Sequence, residues 1–326
     1  MPDSTLTSPS VASVVELARR IEDESARVLV GLGEEVRMCL AALLAGGHVL
    51  LEGPPGVAKT LLVRTLAATL GTSFARIQFT PDLMPSDVTG TGVFHPREGE
   101  FRFQPGPVFA QFVLCDEINR APAKTQAALL EAMQEGAVTI DGKRHELPRP
   151  FSVFATMNPI EHEGTYPLPE AQLDRFLFKI LVGYPVPAVE ARLLAEAHAR
   201  APSATPLELG VRAVSSPAEL EAARARVERI EVRADLPNYV VALLGATRAA
   251  RALVLGASPR AGVMLLRAAK ARAALEGLEY VTPDHIKEVF VPALRHRVVL
   301  DPAEELEGVR ADAVLEQILD SVEVPR

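Results

Sequence analysis

The sequence predicts an α/β fold, a parallel sheet with helices on both faces, followed by a small all-helical unit. Three observations carry this. Five short apolar runs recur through the first half: "HVLLEG" (48–53), "FARIQF" (74–79), "FVLCDE" (112–117), "FSVFATMN" (151–158) and "FLFKILV" (176–182). Most are continuous rather than alternating, as strands buried on both faces are. Helical patterns such as "KTLLVRTLAATLG" and "TQAALLEAMQEG" lie between them, which points to parallel strands joined by crossovers. Beyond "GYPVPA" (183–188) alanine, leucine, arginine and glutamate dominate and strand-like runs disappear.

The elements follow in order. The opening "MPDSTLTSPS" is polar and small, reads as a loose tail over 1–12, and has no leader-like apolar core. A parallel-sheet core is expected over 13–185 and a small all-helical unit over 186–326. Two segments break the strand–helix rhythm and read as hairpins. In "GVFHPREGEFRFQPG" (about 92–104) Phe101 and Phe103 alternate around Arg102 after a Pro/Gly turn. In "AVTIDGKRHEL" (about 138–147) Asp141-Gly142 is a two-residue turn signal. In the second unit, Ser216-Pro217-Ala218-Glu219 reads as a capping box, and Ser258-Pro259 and Thr282-Pro283 as further cap-then-proline starts.

Composition bounds the function. The chain has 326 residues, 48% hydrophobic and 23% charged, an ordinary soluble composition with ample length for a core. A net charge of −8 argues against a broad nucleic-acid footprint. Cys39 and Cys115 are the only cysteines, which fits a reducing cytoplasm and excludes a disulfide framework. No apolar stretch reaches the ~20 residues of a membrane span.

The chemistry starts at "LEGPPGVAKTLL" (51–62). Between a strand-like and a helix-like run, Gly53, Pro54, Pro55, Gly56, Val57, Ala58, Lys59 and Thr60 nearly spell the phosphate-binding pattern G-x-x-x-x-G-K-[ST]. The loop would turn amides toward an anion at a helix N-terminus. Lys59 would reach the β and γ phosphates and Thr60 would give a hydroxyl to Mg²⁺. Ala58 replaces the second glycine. It keeps the backbone N–H and suits a helix start, with the turning left to Gly53 and Gly56.

"FVLCDEINR" ends an apolar strand in two carboxylates. Asp116 suits Mg²⁺, and Glu117 suits a water-polarising base. Asn158 ends a later strand, where its amide could meet the attacking water or the γ phosphate. Arg175 precedes the last strand and reads either as an arginine supplied from outside a nucleotide site or as an ion-pair partner of Asp174 or Glu170. Arg260 falls in the first turn of a helix, where a cation opposes the helix dipole, so it reads as meeting an external anion or as a plain exposed arginine.

Together these motifs resemble AAA+ ATPases, and within them the MoxR group, over about residues 28–300. "GPPGVAKT" matches Walker A, "LCDEINRAPAKTQAALLEAMQE" Walker B and the next helix, and "ATMNP" sensor 1. "GTYPLPEAQLDRF" matches the arginine-finger segment and "GASPRA" sensor 2. The resemblance implies an ATP- and Mg²⁺-dependent ATPase with Lys59 and Thr60 on phosphate and metal, Asp116 on the metal and Glu117 as base. Asn158 would be sensor 1, Arg175 a finger acting in the neighbouring subunit, and Arg260 sensor 2 in the lid. It implies a hexameric ring, chaperone-like work on protein complexes, a partner with a von Willebrand factor A domain, and hairpins facing the pore or a client. Gln78 would hold Glu117 until a ligand binds.

Two positions depart from the group. Val30 and Gly31 match the adenine-side loop, but Leu32 stands where glutamine is common. His162 stands where the group often has glutamine, and reads as a solvated loop histidine. A DNA-directed motor, a metal-chelatase-like subunit and a nucleotide-gated scaffold are the alternatives.

Overall fold

The structure, a computed structural model, describes residues 10–97, 99–158, 166–197 and 205–325. Two helices, α1 (Val11–Ser25) and α2 (Gly33–Leu44), lead into strand β1 (Val49–Glu52). The start of α1 at Val11 corrects the tail expected over 1–12. Val11, Val14, Leu17, Ala18 and Ile21 recur at helical spacing and all are buried. The phosphate-type loop follows β1, then α3 (Lys59–Thr69), β2 (Phe74–Gln78) and α4 (Pro85–Thr89). The first hairpin is β3 (Gly90–His95) with β4 (Glu100–Pro105); β5 (Phe112–Asp116) and α5 (Ala123–Glu135) come next. The second hairpin is β6 (Ala137–Ile140) with β7 (Lys143–Glu146), followed by β8 (Ser152–Met157), α6 (Glu170–Leu173), β9 (Phe178–Leu181) and α7 (Pro187–Ala197).

The five expected strands form one sheet, in the order β2-β5-β8-β1-β9, with every neighbour parallel. Alternate residues feed two cores. Phe112, Leu114, Phe154 and Phe178 pack toward α1, α2 and α3, in a core continuous with the second unit. Val113, Cys115, Val153 and Ala155 pack toward Leu129, Leu130 and Met133 of α5. Cys39 and Cys115 are free and buried. Asp141 and Gly142 take φ of 50° and 73°, as the tight hairpin turn requires. Phe103 of the first hairpin stacks on His145 of the second at 4.1 Å, so the hairpins support each other.

The second unit holds α8 (Pro217–Glu228), α9 (Leu236–Ala249), α10 (Pro259–Leu275), α11 (Pro283–Leu294), α12 (Pro302–Leu306) and α13 (Ala311–Ser321). Ser216 and Ser258 cap α8 and α10 by accepting from Glu219 N and Ala261 N, each at 3.2 Å. The expected box at Ser216 is only half made, because the Glu219 carboxylate turns to Arg20 and Ser215. Thr282 does close a box, with His285 as the reciprocal partner. The unit is not wholly helical. Strands β10 (Leu253–Leu255) and β11 (Val299–Leu300) pair antiparallel, too short for an apolar run to announce them. No helix among the described residues is long and apolar enough to cross a membrane.

Arg297 ties this unit to the sheet. Its side chain is 1% exposed, and its Nε donates to Asp174 Oδ1 at 2.7 Å. Its Nη atoms donate to the carbonyls of Asp174 and Leu177, both at 3.1 Å, and of Phe176. The neighbouring His296 donates to Phe176 O at 2.9 Å, and burial pushes its pKa well below the ordinary range. The chain just before β9 is thus clamped to the end of α11.

Two stability predictions follow from these buried groups. Arg297→Ala removes the buried partner of Asp174, leaving Arg260 at 3.7 Å, and takes a donor from the carbonyls of Asp174 and Leu177; it should cost about 3–5 kcal/mol in chemical denaturation. A loss below about 1 kcal/mol would contradict the clamp. His48 is buried before β1; its Nδ1 accepts from Val153 N at 3.0 Å and its Nε2 donates to Met133 O at 3.2 Å. Burial lowers its pKa to about 4. An unfolded histidine titrates near ~6.5, so its contribution is present above that pH and is lost as pH falls toward 4, by up to about 3 kcal/mol. His48→Gln, which keeps donor and acceptor but cannot titrate, should flatten that part of the stability–pH curve.

Candidate functional site

The loop after β1 is shaped by three conformational requirements. Gly53 lies so close to β9 that a Cβ would stand 2.1 Å from Val182 O. Its glycine is needed for close approach, not for turning as the sequence suggested. Gly56 turns the chain, with φ of +84°. Ala58 turns it again, at φ +64° and ψ 20°, as the residue capping α3. This corrects the expectation that alanine simply suits a helix start. A left-handed alanine costs about 1–2 kcal/mol, so the loop holds Ala58 against its preference. No side chain caps α3, so its first amides face the cavity beside the loop. Lys59 Nζ donates to the carbonyls of Gly53 and, at 2.8 Å, Pro54. Burial pushes its pKa down, opposed by Asp116, Glu117 and Glu52.

The carboxyl end of β5 carries both acids, and that of β8 brings Thr156 beside them. Asp116 is buried at 6% exposure. Its Oδ1 accepts from Thr156 Oγ1 at 3.0 Å, and its Oδ2 from Arg76 Nε at 2.6 Å and Thr60 Oγ1 at 3.5 Å. Glu117 is left-handed too, at φ 56°, which turns its side chain out of the strand direction. Its N–H donates to Thr156 Oγ1 at 2.9 Å. Its Oε2 accepts from Gln78 Nε2 at 3.0 Å and pairs with Arg120 Nε at 3.1 Å. The Gln78 contact is the one the sequence anticipated.

Two cavities share the loop residues Gly56, Val57 and Ala58. One, of about 360 Å³, is lined by Lys59, Thr60, Arg76, Asp116, Glu117 and Asn158. The other, of about 270 Å³, is lined by Val28, Val30, Gly31, Leu61, Tyr184 and Val189 among others. A largely apolar slot beside uncapped amides and a lysine suits a nucleobase and its phosphates. Among the described residues no three His, Cys, Asp or Glu side chains cluster as a protein-only metal site. One carboxylate and one hydroxyl are the sparse hard-oxygen set that suits Mg²⁺ completed by water and phosphate.

Arg175 and Arg260 are elsewhere. Both line a third cavity of about 240 Å³ with Gly46, Gly47, Gln134 and Arg267. Gly46 and Gly47 precede β1 and Leu177 precedes β9, so this cavity lies at the amino ends of the strands. The phosphate-type loop lies at the carboxyl ends. Arg175 Nη1 donates to Gln134, and Arg260 Nε is 3.7 Å from Asp174 Oδ2. The structure therefore unites Lys59, Thr60, Asp116, Glu117 and Asn158 at one end and Arg175 with Arg260 at the other. His162 lies outside the described residues.

Sequence reasoning missed Arg76, Thr156 and Arg120. The first two carry a faint signal, since each stands two residues before a recognised strand-end polar group, Gln78 or Asn158, on the same face.

Residues 48–178 match the family described as "ATPase family associated with various cellular activities (AAA)", and 245–318 match the AAA lid domain. The chain is 46% identical to the uncharacterized protein YeaC of Bacillus subtilis, over 92% of each chain. It is 43% identical to Chaperone MoxR1 of Mycobacterium tuberculosis, over 97% of this chain and 84% of that protein. The crystal structure of a putative ATPase from Cytophaga hutchinsonii superposes with a TM-score of 0.88 at 40% identity, covering 97% of each chain.

The strained alanine gives a sharp test. Ala58→Gly should keep nucleotide binding and raise stability by up to about 1 kcal/mol in thermal unfolding. Ala58→Leu should lose binding of a fluorescent ATP analogue by steric intrusion. Unchanged affinity in the leucine variant would show that the loop does not hold phosphate.

Proposed function

The chain belongs to the MoxR group of AAA+ ATPases, and on that premise we propose that it hydrolyses ATP in a ring whose sites are completed between subunits. The observation that carries this reading is the division of the candidate site between opposite ends of one parallel sheet. Lys59 and the loop amides would hold the phosphates, and Thr60 and Asp116 would hold Mg²⁺, which supplies charge neutralisation when bound. Val30 and Gly31 would face the base. Glu117 would polarise the attacking water, and Asn158 would position it or the γ phosphate. Gln78 and Arg120, both on Glu117 Oε2, would keep it from the water until the site fills.

Arg175 and Arg260 sit too far around the sheet to serve their own loop in this arrangement. Both would be offered to the next subunit's phosphates. For Arg260 this differs from a lid residue closing over its own nucleotide. A head-to-tail contact of this kind closes into a ring, for which six subunits is the expectation carried by the family resemblance. Phosphate state would then set subunit geometry.

The work done is proposed to be chaperone-like remodelling or assembly of protein complexes in the cytoplasm, with a von Willebrand factor A domain partner. The relative named Chaperone MoxR1 supports the first part. The tip of the first hairpin offers a contact surface, where Phe94 and Phe101 are 49% and 73% exposed with ring centroids 5.2 Å apart.

The chemistry is tested by Glu117→Gln. It should bind ATP as the wild type does, while phosphate release falls by about 100-fold or more. Undiminished hydrolysis would sink the base assignment.

A further inference from the structure

Among the described residues, Arg76 is the charged side chain bonded to Asp116 that the proposed reaction does not use. It stands on the edge strand β2, two residues before Gln78 and on the same face. Its Nε donates to Asp116 Oδ2 at 2.6 Å, and its Nη2 donates to Gln78 Oε1 at 3.1 Å. Thr60 Oγ1, the hydroxyl that would share a metal ion with Asp116, is 3.5 Å from that same Oδ2. A guanidinium and a divalent ion would therefore contend for one carboxylate oxygen. Asp116 cannot stay buried without a counter-charge. Two cations on one oxygen repel. The Asp116 side chain is 8% exposed and that of Arg76 is 44% exposed, so the arginine is the partner with room to move.

We propose that Arg76 is the resident counter-ion of Asp116 and a positioning residue for the metal–nucleotide site. It neutralises Asp116 in the nucleotide-free subunit and turns into the cavity it lines when a divalent ion replaces it. Arg76 also fixes Gln78, and Gln78 Nε2 holds Glu117 at 3.0 Å. When Arg76 leaves Asp116, it loosens the brace on Gln78 and so reports metal arrival to Glu117. This inference rests on the reading of Asp116 as the carboxylate of the metal site.

The test uses the full chain without nucleotide, with Mn²⁺ as a paramagnetic probe and Tm measured in EDTA and in Mg²⁺. Wild type and Arg76→Lys should bind Mn²⁺ weakly and melt at a temperature insensitive to Mg²⁺. Arg76→Met should melt lower in EDTA, recover in Mg²⁺, and bind Mn²⁺ about tenfold or more tightly, the scale on which groups around metal ligands act. Arg76→Gln, which keeps a hydrogen bond but no charge, should behave alike and serves if the methionine variant does not fold. Adding Asp116→Asn should abolish both responses. Mn²⁺ affinity and Mg²⁺ response equal to wild type in Arg76→Met and Arg76→Gln would overturn the inference. If Asp116→Asn alone removes the Mn²⁺ bound with ATP in that case, the reading of Asp116 survives; if it leaves that Mn²⁺ in place, the reading itself fails.

Discussion

The arrangement depends on one constraint: all five strands of the central sheet run parallel. A parallel sheet has two chemically different ends. At the carboxyl ends the chain leaves each strand and enters a helix or turn, so backbone amides and strand-end side chains converge there. That is where the uncapped start of α3, Lys59, Asp116, Glu117 and Asn158 are found. At the amino ends the chain arrives from helices, and the third cavity gathers Arg175, Arg260 and Arg267 around Gly46 and Gly47. An anion-binding loop at one end and an arginine cluster at the other would meet across one shared phosphate, a natural basis for head-to-tail assembly.

The carboxyl end is held under some strain, and both ends are stabilised from outside themselves. Ala58 and Glu117 both sit in the left-handed region, and the surrounding structure must hold them there. For Glu117 the hold is visible: Thr156 takes its N–H, and Gln78 and Arg120 take its carboxylate. Thr156 also donates to Asp116, so one buried hydroxyl sets the relation between the two acids. At the other end, the Arg297–Asp174 pair fixes the backbone next to Arg175, and Arg260 stands 3.7 Å from the same aspartate. Asp174 thus meets Arg297 and Arg260 from the helical unit while its backbone neighbour Arg175 turns to Gln134, which links that unit to the end of the sheet.

Much of this was legible in the sequence. Apolar runs located the five strands to within a residue or two; β1, β5 and β8 are buried on both faces and leave no polar alternation, whereas the edge strand β2 alternates through Arg76 and Gln78. Asp141-Gly142 announced its hairpin, and Ser258-Pro259 its helix. What stayed hidden depends on conformation or on distant pairing. Nothing in "GPPGVAKT" distinguishes a glycine needed for turning from one needed for close approach, so the roles of Gly53 and Ala58 were read the wrong way round. Arg76 and Arg297 look like any other arginines until β5 and the 174–177 segment are brought beside them. The pair β10–β11 was invisible because three residues are too few to carry a period. Spacing alone showed that Arg175 and Arg260 were notable but not that they share a cavity, since 85 residues separate them in "LDRF" and "SPRA".

The claim that the site is completed across a subunit boundary is tested most directly by mixing two inactive proteins. Arg175→Ala retains a whole phosphate end, and Glu117→Gln retains a whole arginine end. Each alone should hydrolyse ATP poorly. Co-assembled in equal amounts, they should recover roughly a quarter of the wild-type rate, since random head-to-tail assembly puts an intact Glu117 against an intact Arg175 at about one interface in four. A mixture no more active than the sum of its separate components would contradict the account and return Arg175 to a purely structural role.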